Sequence, residues 1–259
     1  MKGWVFVEVK NYHDNRLINK DTYLYYANTN EAHLSLPVKG IVVEFPGLGG
    51  SSCLGGSIDR GSYSTPYTMD FGRQGILCVY IFPGPWSWGN KGAVRIADAI
   101  VLALAEKYQL EEAFPLAVCG GSMGGLGTLN YAADSQFTVR IAAAACPCVD
   151  AMEQMYCNPD FPRTYICAVA GYDMELEDAL KEISPLYRVS DMPKTSYFIC
   201  SNGTDQYFPQ AQCDTYVEKL VQAGHTVEYH AQPNTTHGQF FPEVRQRLHQ
   251  AIVDAILGS

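Results

Sequence analysis

Positive charge is scarce in this chain: 18 Lys and Arg stand against 27 Asp and Glu in 259 residues, a formal net charge of -9 at pH 7. Holding a phosphate backbone takes a basic stripe, and none exists here, which excludes a nucleic-acid partner. Long hydrophobic runs are missing too. The longest, from Ile96 to Ala105, carries Asp98 and falls short of the roughly 20 residues that span a bilayer, so no membrane partner is expected. The start, Met1 to Asp21, alternates apolar and polar residues and lacks the unbroken apolar core and cleavage site of a secretory signal. The chain as given therefore reads as cytoplasmic, with a processed mature chain left open.

Metal and dinucleotide signatures are absent as well. No Cys-x-x-Cys pair and no histidine cluster argues for zinc, and Cys146-Pro147-Cys148 reads as a strand end rather than a metal clip. The nine cysteines are odd in number, in a chain too large to need a disulfide scaffold. Cys78, Cys119, Cys146 and Cys200 fall in or beside apolar strand-like runs, where a free thiol packs as a small hydrophobe. The glycine clusters lack Gly-x-Gly-x-x-Gly spacing, which disfavours a dinucleotide-binding enzyme. There is no repeat, polar linker or low-complexity tract. With 47% hydrophobic and 17% charged residues, the chain can bury one large core as a single domain over 1–259.

What is present centres on Val118-Cys119-Gly120-Gly121-Ser122-Met123-Gly124-Gly125. An apolar strand-like run ends in Gly-x-Ser-x-Gly and opens into a helix-like segment with Leu126, Leu129 and Ala132-Ala133. A serine hydroxyl is a poor nucleophile at neutral pH. It needs projection from a sharp turn, beside a base and beside donors for a developing oxyanion. Candidates for the base and its orienting acid follow downstream. Ser196–Cys200 reads as a buried strand with Asp205 on the turn after it, and Thr226–His230 as another with His237 on the loop before the last helix. Ser122, Asp205 and His237 thus lie in the order Ser, Asp, His, each on a loop after a strand. The remaining histidines, His13, His33, His225, His230 and His249, lack a partner motif.

Strands are expected at 3–10, 22–27, 40–45, 76–82, 115–119, 140–146, 196–200 and 226–231, and helices at 91–107, 123–134, 209–223 and 242–257. The alternation implies an α/β fold, a doubly wound and mostly parallel sheet whose first strands form an antiparallel edge. Residues 147–195 interrupt it and form a candidate cap over Ser122. Its aromatics, Tyr156 and Tyr172 with Phe161 and Tyr165, either line a substrate pocket or make the cap's own small core. Trp86 and Trp88, on the loop after the 76–82 strand, either offer a platform for a flat or apolar substrate or staple the next helix to the sheet. Asp98 reads as part of a solvated helix face with Lys91 and Arg95, and Glu44, in an apolar strand, requires a partner if buried.

Over residues 40–257 the chain resembles the α/β-hydrolases, in the branch of prolyl-oligopeptidase-type domains, dienelactone hydrolases and small esterases. The resemblance rests on the nucleophile turn and on Ile183-Ser184-Pro185-Leu186, Asn202-Gly203-Thr204-Asp205, Ala223–Glu228 and His237-Gly238-Gln239-Phe240. Phe45-Pro46-Gly47-Leu48-Gly49-Gly50 resembles the branch's His-Gly-x-Gly-Gly oxyanion loop, with Pro46 where histidine is usual. The resemblance implies oxyanion donors at the amides of Met123 and Leu48, with Gly49 the alternative if the loop is shifted by one residue. It implies two-step acyl transfer without a cofactor or metal, on a small ester or a short peptide. An esterase is expected over a peptidase, since only about 40 residues precede the first core loop, too few for a peptide-screening domain. Small-peptide or aminoacyl cleavage, and a noncatalytic binding protein on the same fold, stay open as alternatives, as does the oligomeric state.

Overall fold

The computed structural model describes residues 17–48 and 63–258. The strand expected at 3–10, and Gly49 and Gly50 of the oxyanion loop, lie outside the described residues. Seven strands form one sheet: β1 (Ala27–Thr29), β2 (Gly40–Phe45), β3 (Ile76–Ile81), β4 (Leu116–Gly121), β5 (Ile141–Ala145), β6 (Ser196–Asn202) and β7 (Thr226–Gln232). Their order is β1-β3-β2-β4-β5-β6-β7, with β1 antiparallel to β3 and every other pair parallel. β2, β3 and β5 are buried along nearly their whole length, as a parallel sheet covered on both faces requires.

Eight α-helices occur among the described residues: α1 (Pro66–Arg73), α2 (Lys91–Tyr108), α3 (Met123–Asp134), α4 (Ala151–Cys157), α5 (Pro162–Val169), α6 (Leu176–Glu182), α7 (Gln210–Gln222) and α8 (Pro242–Leu257). Alternate strand residues feed two cores. Ile41, Val43, Leu77, Val79 and Val118 pack with Ile100 and Leu104 of α2, Leu129 of α3 and Leu220 of α7. Val42, Cys78, Ala117, Cys119 and Ala143 pack on the opposite face with Phe71 of α1 and Val244, Ile252 and Ile256 of α8. That two-residue alternation, met by helices on both faces, is the physical basis of the doubly wound architecture. No helix among the described residues is long and apolar enough to cross a membrane.

The segment expected as a strand at 22–27 instead makes a 3-10 turn at Tyr23–Tyr25 before the short β1. Asn19 and Thr22 hydrogen-bond their own stretch of chain, with the Asp21 N–H on Asn19 Oδ1 and the Asn19 N–H on Thr22 Oγ1. Such local bonds compete with a sheet ladder. Helix α1 was not signalled by hydrophobic periodicity. It begins with a capping box between Thr65 and Thr68 and with Pro66 at its first position, a start signal carried by polar residues. Asp98 also differs from expectation. It is buried and accepts from Ser135 Oγ at 2.7 Å and the Gln136 N–H at 3.1 Å, tying α2 to the end of α3.

Candidate active site

Ser122 sits between β4 and α3 with φ 61° and ψ -124°, a conformation that a side-chain-bearing residue adopts only when its surroundings impose it. Here the constraint comes from both sides. Its N–H donates to Ala145 O at 2.9 Å, its carbonyl receives the Leu126 N–H at 3.2 Å, and β4 and α3 meet with almost no space between them. A Cβ on Gly120 would lie 2.6 Å from Gly124 O, and one on Gly124 would lie 2.2 Å from Phe45 O. The two glycines of the pentapeptide are therefore dictated by contact with neighbouring backbone. The same contact sets the end of β2 against the start of α3, so Gly47 and Leu48 leave β2 alongside the Ser122 turn. Leu48 is partly exposed and Met123 is buried at the first helical position.

Asp205 and His237 reach Ser122 because the turn after β6 is laced to the loop after β7. Thr204 N–H and Oγ1 both donate to Thr235 O, at 3.0 and 2.9 Å, and Asn202 Nδ2 donates to Thr235 Oγ1 at 2.7 Å and Gln239 O at 2.6 Å. Within the first turn Asp205 Oδ1 accepts the N–H groups of Tyr207 at 2.8 Å and Phe208 at 3.0 Å. Its other oxygen lies 2.7 Å from His237 Nδ1, and His237 Nε2 lies 2.9 Å from Ser122 Oγ. The Asp205 side chain is 1% exposed and that of His237 16%. Burial opposes a positive charge on the imidazole, but the Asp205 carboxylate, reinforced by Cys146, outweighs it and pushes the His237 pKa up to about 9. A carboxylate on one ring nitrogen and a hydroxyl on the other is an arrangement that can carry a proton away from serine and return it to a leaving group.

Two aromatic residues that sequence reasoning missed enclose this imidazole: Tyr207 at 5.0 Å and Phe208 at 5.3 Å between ring centroids, both edge-on. An aspartate followed two and three residues on by aromatics whose amides it binds is a local turn signal, readable once Asp205 is singled out. The third missed neighbour is Cys146. Its Sγ, a His237 ring nitrogen and an Asp205 carboxylate oxygen lie within 4.8 Å of one another.

The aromatic platform requires correction. Trp88 is fully buried, stacked on Tyr165 at 4.1 Å, with Nε1 donating to Thr164 Oγ1 at 3.0 Å. It belongs to a third core with Met123, Phe161, Leu180 and Phe208, and so fastens α5 and α6 to the start of α3 instead of meeting a substrate. Tyr172 is likewise committed elsewhere: its hydroxyl accepts the Lys91 N–H at 3.0 Å at the start of α2. Trp86 is 39% exposed and Tyr156, on α4, 70% exposed, and the rings against His237 are those of Tyr207 and Phe208.

Glu44, near the end of β2, finds the partner that burial requires in a phenol: Tyr63 Oη donates to it at 2.8 Å. Burial pushes its pKa up to about 7, with the Tyr63 bond opposing the rise. It lines a mostly apolar cavity of about 490 Å³ with Cys119, Gly121, Phe240, Leu248 and Ile252, between the sheet's carboxyl edge and helices α1 and α8.

Solved structures share this architecture. A puromycin hydrolase superposes with a TM-score of 0.68 at 20% identity, over 86% of this chain and 35% of its own. Esterase B from Lactobacillus Rhamnosis gives 0.64 at 13%, over 87% of this chain and 78% of its own, and an acylaminoacyl peptidase from Pyrococcus horikoshii gives 0.60 at 15%, over 85% and 37%. The chain spans about a third of the length of the puromycin hydrolase and the acylaminoacyl peptidase. No curated protein sequence matches it. The model of the prolyl oligopeptidase family matches residues 86–256, a span that contains the serine turn, the Asp205 turn and the His237 loop. With more than half of its length under that match, and the seven-stranded, mostly parallel sheet to go with it, the chain belongs to the prolyl oligopeptidase family.

Proposed function

We propose that the protein is a serine hydrolase that cleaves small carboxylic esters through an acyl-enzyme. The observation that carries this reading is the unbroken relay from Asp205 Oδ2 to His237 Nδ1 at 2.7 Å and from His237 Nε2 to Ser122 Oγ at 2.9 Å. Asp205 holds the proton on Nδ1, so Nε2 presents a lone pair to the serine hydroxyl. As Ser122 Oγ attacks the carbonyl carbon, His237 takes its proton, and Asp205 stabilises the imidazolium. The amides of Met123 and Leu48 are assigned as donors to the oxyanion. Collapse of the tetrahedral intermediate expels the alcohol, which receives the proton from His237. Water, deprotonated by the same imidazole, then releases the acid.

Two observations favour ester over amide. The structure of esterase B is matched over 78% of its length, and an apolar cavity of about 490 Å³ adjoins Gly121, next to the nucleophile, where an acyl chain would be shielded from water. Exposed Trp86 and Tyr156, with Tyr207 beside the imidazole, are the aromatic side chains proposed to meet the substrate. The second reading, cleavage of aminoacyl amides or short peptides, draws on the family match and on the likeness to a puromycin hydrolase and an acylaminoacyl peptidase. Residues 1–259 are taken as one domain in which residues 147–195, carrying helices α4 to α6, form a cap. All eight described cysteines are free thiols, which fits a cytoplasmic location. A denatured, unreduced sample titrating fewer than nine thiols would contradict that location.

The test has two stages. A fluorophosphonate probe should label Ser122, as located by peptide mapping, and Ser122→Ala should abolish the adduct. An adduct on another serine sinks the mechanism. Turnover is then compared across short-chain acyl esters, aromatic acyl esters, aminoacyl amides and dipeptides. Efficient dipeptide cleavage with negligible ester turnover replaces the ester reading with the peptidase one.

A further inference from the structure

The mechanism leaves one buried nucleophilic group beside the relay without a role. Cys146 is 3% exposed and follows β5 in a left-handed conformation, φ 37°, with its N–H donating to Cys200 O at 2.7 Å. The neighbouring thiols are engaged elsewhere: Cys148 Sγ with Tyr165 Oη at 3.2 Å, and Cys213 Sγ toward Pro147 O. Cys146 Sγ instead shares its space with the imidazole of His237 and the carboxylate of Asp205, the three ligand atoms lying within 4.8 Å of one another. These groups come from the ends of β5, β6 and β7, which is why no ligand spacing appears in the sequence.

We propose that Cys146, His237 and Asp205 form an inhibitory site for a soft divalent cation, zinc above all, which arrests the hydrolase reversibly. The identity of the ion follows from the donors. Thiolate with imidazole and one carboxylate is a zinc set, whereas magnesium and calcium take oxygen alone. The size also fits. Zinc bonds of about 2.0–2.3 Å in tetrahedral geometry place ligand atoms about 3.3–3.7 Å apart. The 2.7 Å Nδ1–Oδ2 contact would open by about half an ångström, and the thiol already lies within 4.8 Å of both partners. Water completes the fourth position.

Arrest follows from tautomer chemistry and rests on the acyl-transfer reading above. Nδ1 faces Asp205, so it is the ring nitrogen that the ion takes. Where the ring is neutral its proton moves from Nδ1 to Nε2 and only the thiol proton leaves to solvent; where the ring is an imidazolium its Nδ1 proton leaves as well, so one or two protons are released per ion bound. No electron is transferred. Nε2 then donates to Ser122 Oγ where it had accepted, and can no longer take the serine proton. Removing the ion restores the Nδ1–H tautomer.

The test uses metal-free protein with two readouts. Zinc is titrated while the rate of fluorophosphonate labelling of Ser122 is followed, each variant scaled to its own metal-free rate. Cobalt(II) is added separately and a thiolate-to-cobalt charge-transfer band is sought by absorption. The wild type and Cys157→Ser, which removes an exposed thiol on α4, should lose labelling at the same zinc concentration and recover it with a chelator. Cys146→Ser and Cys146→Ala should need a concentration higher by at least the roughly 10–100-fold that loss of even an outer-shell partner costs, and should lack the cobalt band. Equal zinc sensitivity in wild type and Cys146 variants, or a wild-type cobalt complex without the band, overturns the proposal. Absence of Ser122 labelling in metal-free wild type strikes the hydrolase reading instead, and the cobalt spectrum still decides the site.

Discussion

Two carboxylates, each on a residue only partly accessible to solvent, stand at the carboxyl edge of the same sheet and are treated in opposite ways. Asp205, after β6, accepts two backbone N–H groups on one oxygen and faces His237 with the other. Glu44, two strands from the opposite edge, accepts among the described residues one hydrogen bond, from Tyr63, and looks into an apolar cavity that pushes its pKa up to about 7. Depth does not separate them; the supply of donors does. A turn such as Asn202–Phe208 can aim its own amides at a side chain, whereas the amides of a central parallel strand are spent on the ladder. The acid that faces a histidine therefore stands on a loop, and the carboxylate left within a strand is the one whose pKa burial pushes up.

The largest effect that separates the two sites is expected from removing each charge in turn. Asp205→Asn should lower kcat by about 10⁴ near neutral pH while leaving the fold intact, because the amide no longer fixes the imidazole tautomer. Glu44→Gln should leave kcat within a few-fold. Asp191→Asn and Asp214→Asn serve as controls. Asp214 is bonded to the Tyr229 hydroxyl and Asp191 to Arg188, so steady-state rates on one ester should change little in either. A large loss in Glu44→Gln, or near-normal activity in Asp205→Asn, would break the comparison.

A smaller effect is expected in the pH profile. Burial disfavours charged His237, but the Asp205 and Cys146 contacts raise its pKa to about 9, and in the proposed acyl transfer the neutral ring is the base. Values of kcat/KM measured from pH 6 to 10 should rise with pH to a midpoint well above the usual 6.5. Below that midpoint each pH unit should cost about tenfold. In Asp205→Asn the midpoint should fall. Stability runs the other way: the raised pKa contributes fully below about 6.5 and its contribution is lost as pH climbs through about 9. A midpoint at or below 6.5 in the wild type would show that the carboxylate does not hold the ring's charge.

The contrast also marks what could be read from residues alone. Ser122, Asp205 and His237 each follow an apolar run, and strand polarity places such loops together, so their meeting was legible. The helices at 123–134 and 242–257 were legible because their apolar faces repeat at helical spacing. The roles of the aromatics were not. Trp86 and Trp88 are two residues apart and alike in chemistry, yet one is 39% exposed and the other fully buried, because Asn130 Nδ2, donating to Gly89 O, helps draw the second half of the loop inward. Cys146 was hidden for a related reason: a thiol at a strand end looks like packing until β6 and β7 deliver an imidazole and a carboxylate to it.

The smallest expected effect concerns Glu44 itself. Its folded pKa, raised to about 7 by burial, exceeds the ordinary 4.5, so it contributes stability that is fully present below about pH 4.5 and lost as pH rises through about 7. Because Glu44 is partly accessible through its cavity, the cost of ionising it is set at about 2 kcal/mol, less than the pKa difference alone would give. Glu44→Gln keeps an acceptor for Tyr63 and carries no charge. Urea unfolding at pH 5 and pH 8 should therefore find the variant gaining about 2 kcal/mol on the wild type between the two values. The loss from His237 is common to both and cancels. Tyr63→Phe removes the donor that opposes the rise, so its stability should fall more steeply than the wild type's over the same interval. Parallel curves for all three proteins would mean that Glu44 keeps its charge through water in the cavity, and the contrast with Asp205 would then rest on hydrogen-bond partners alone.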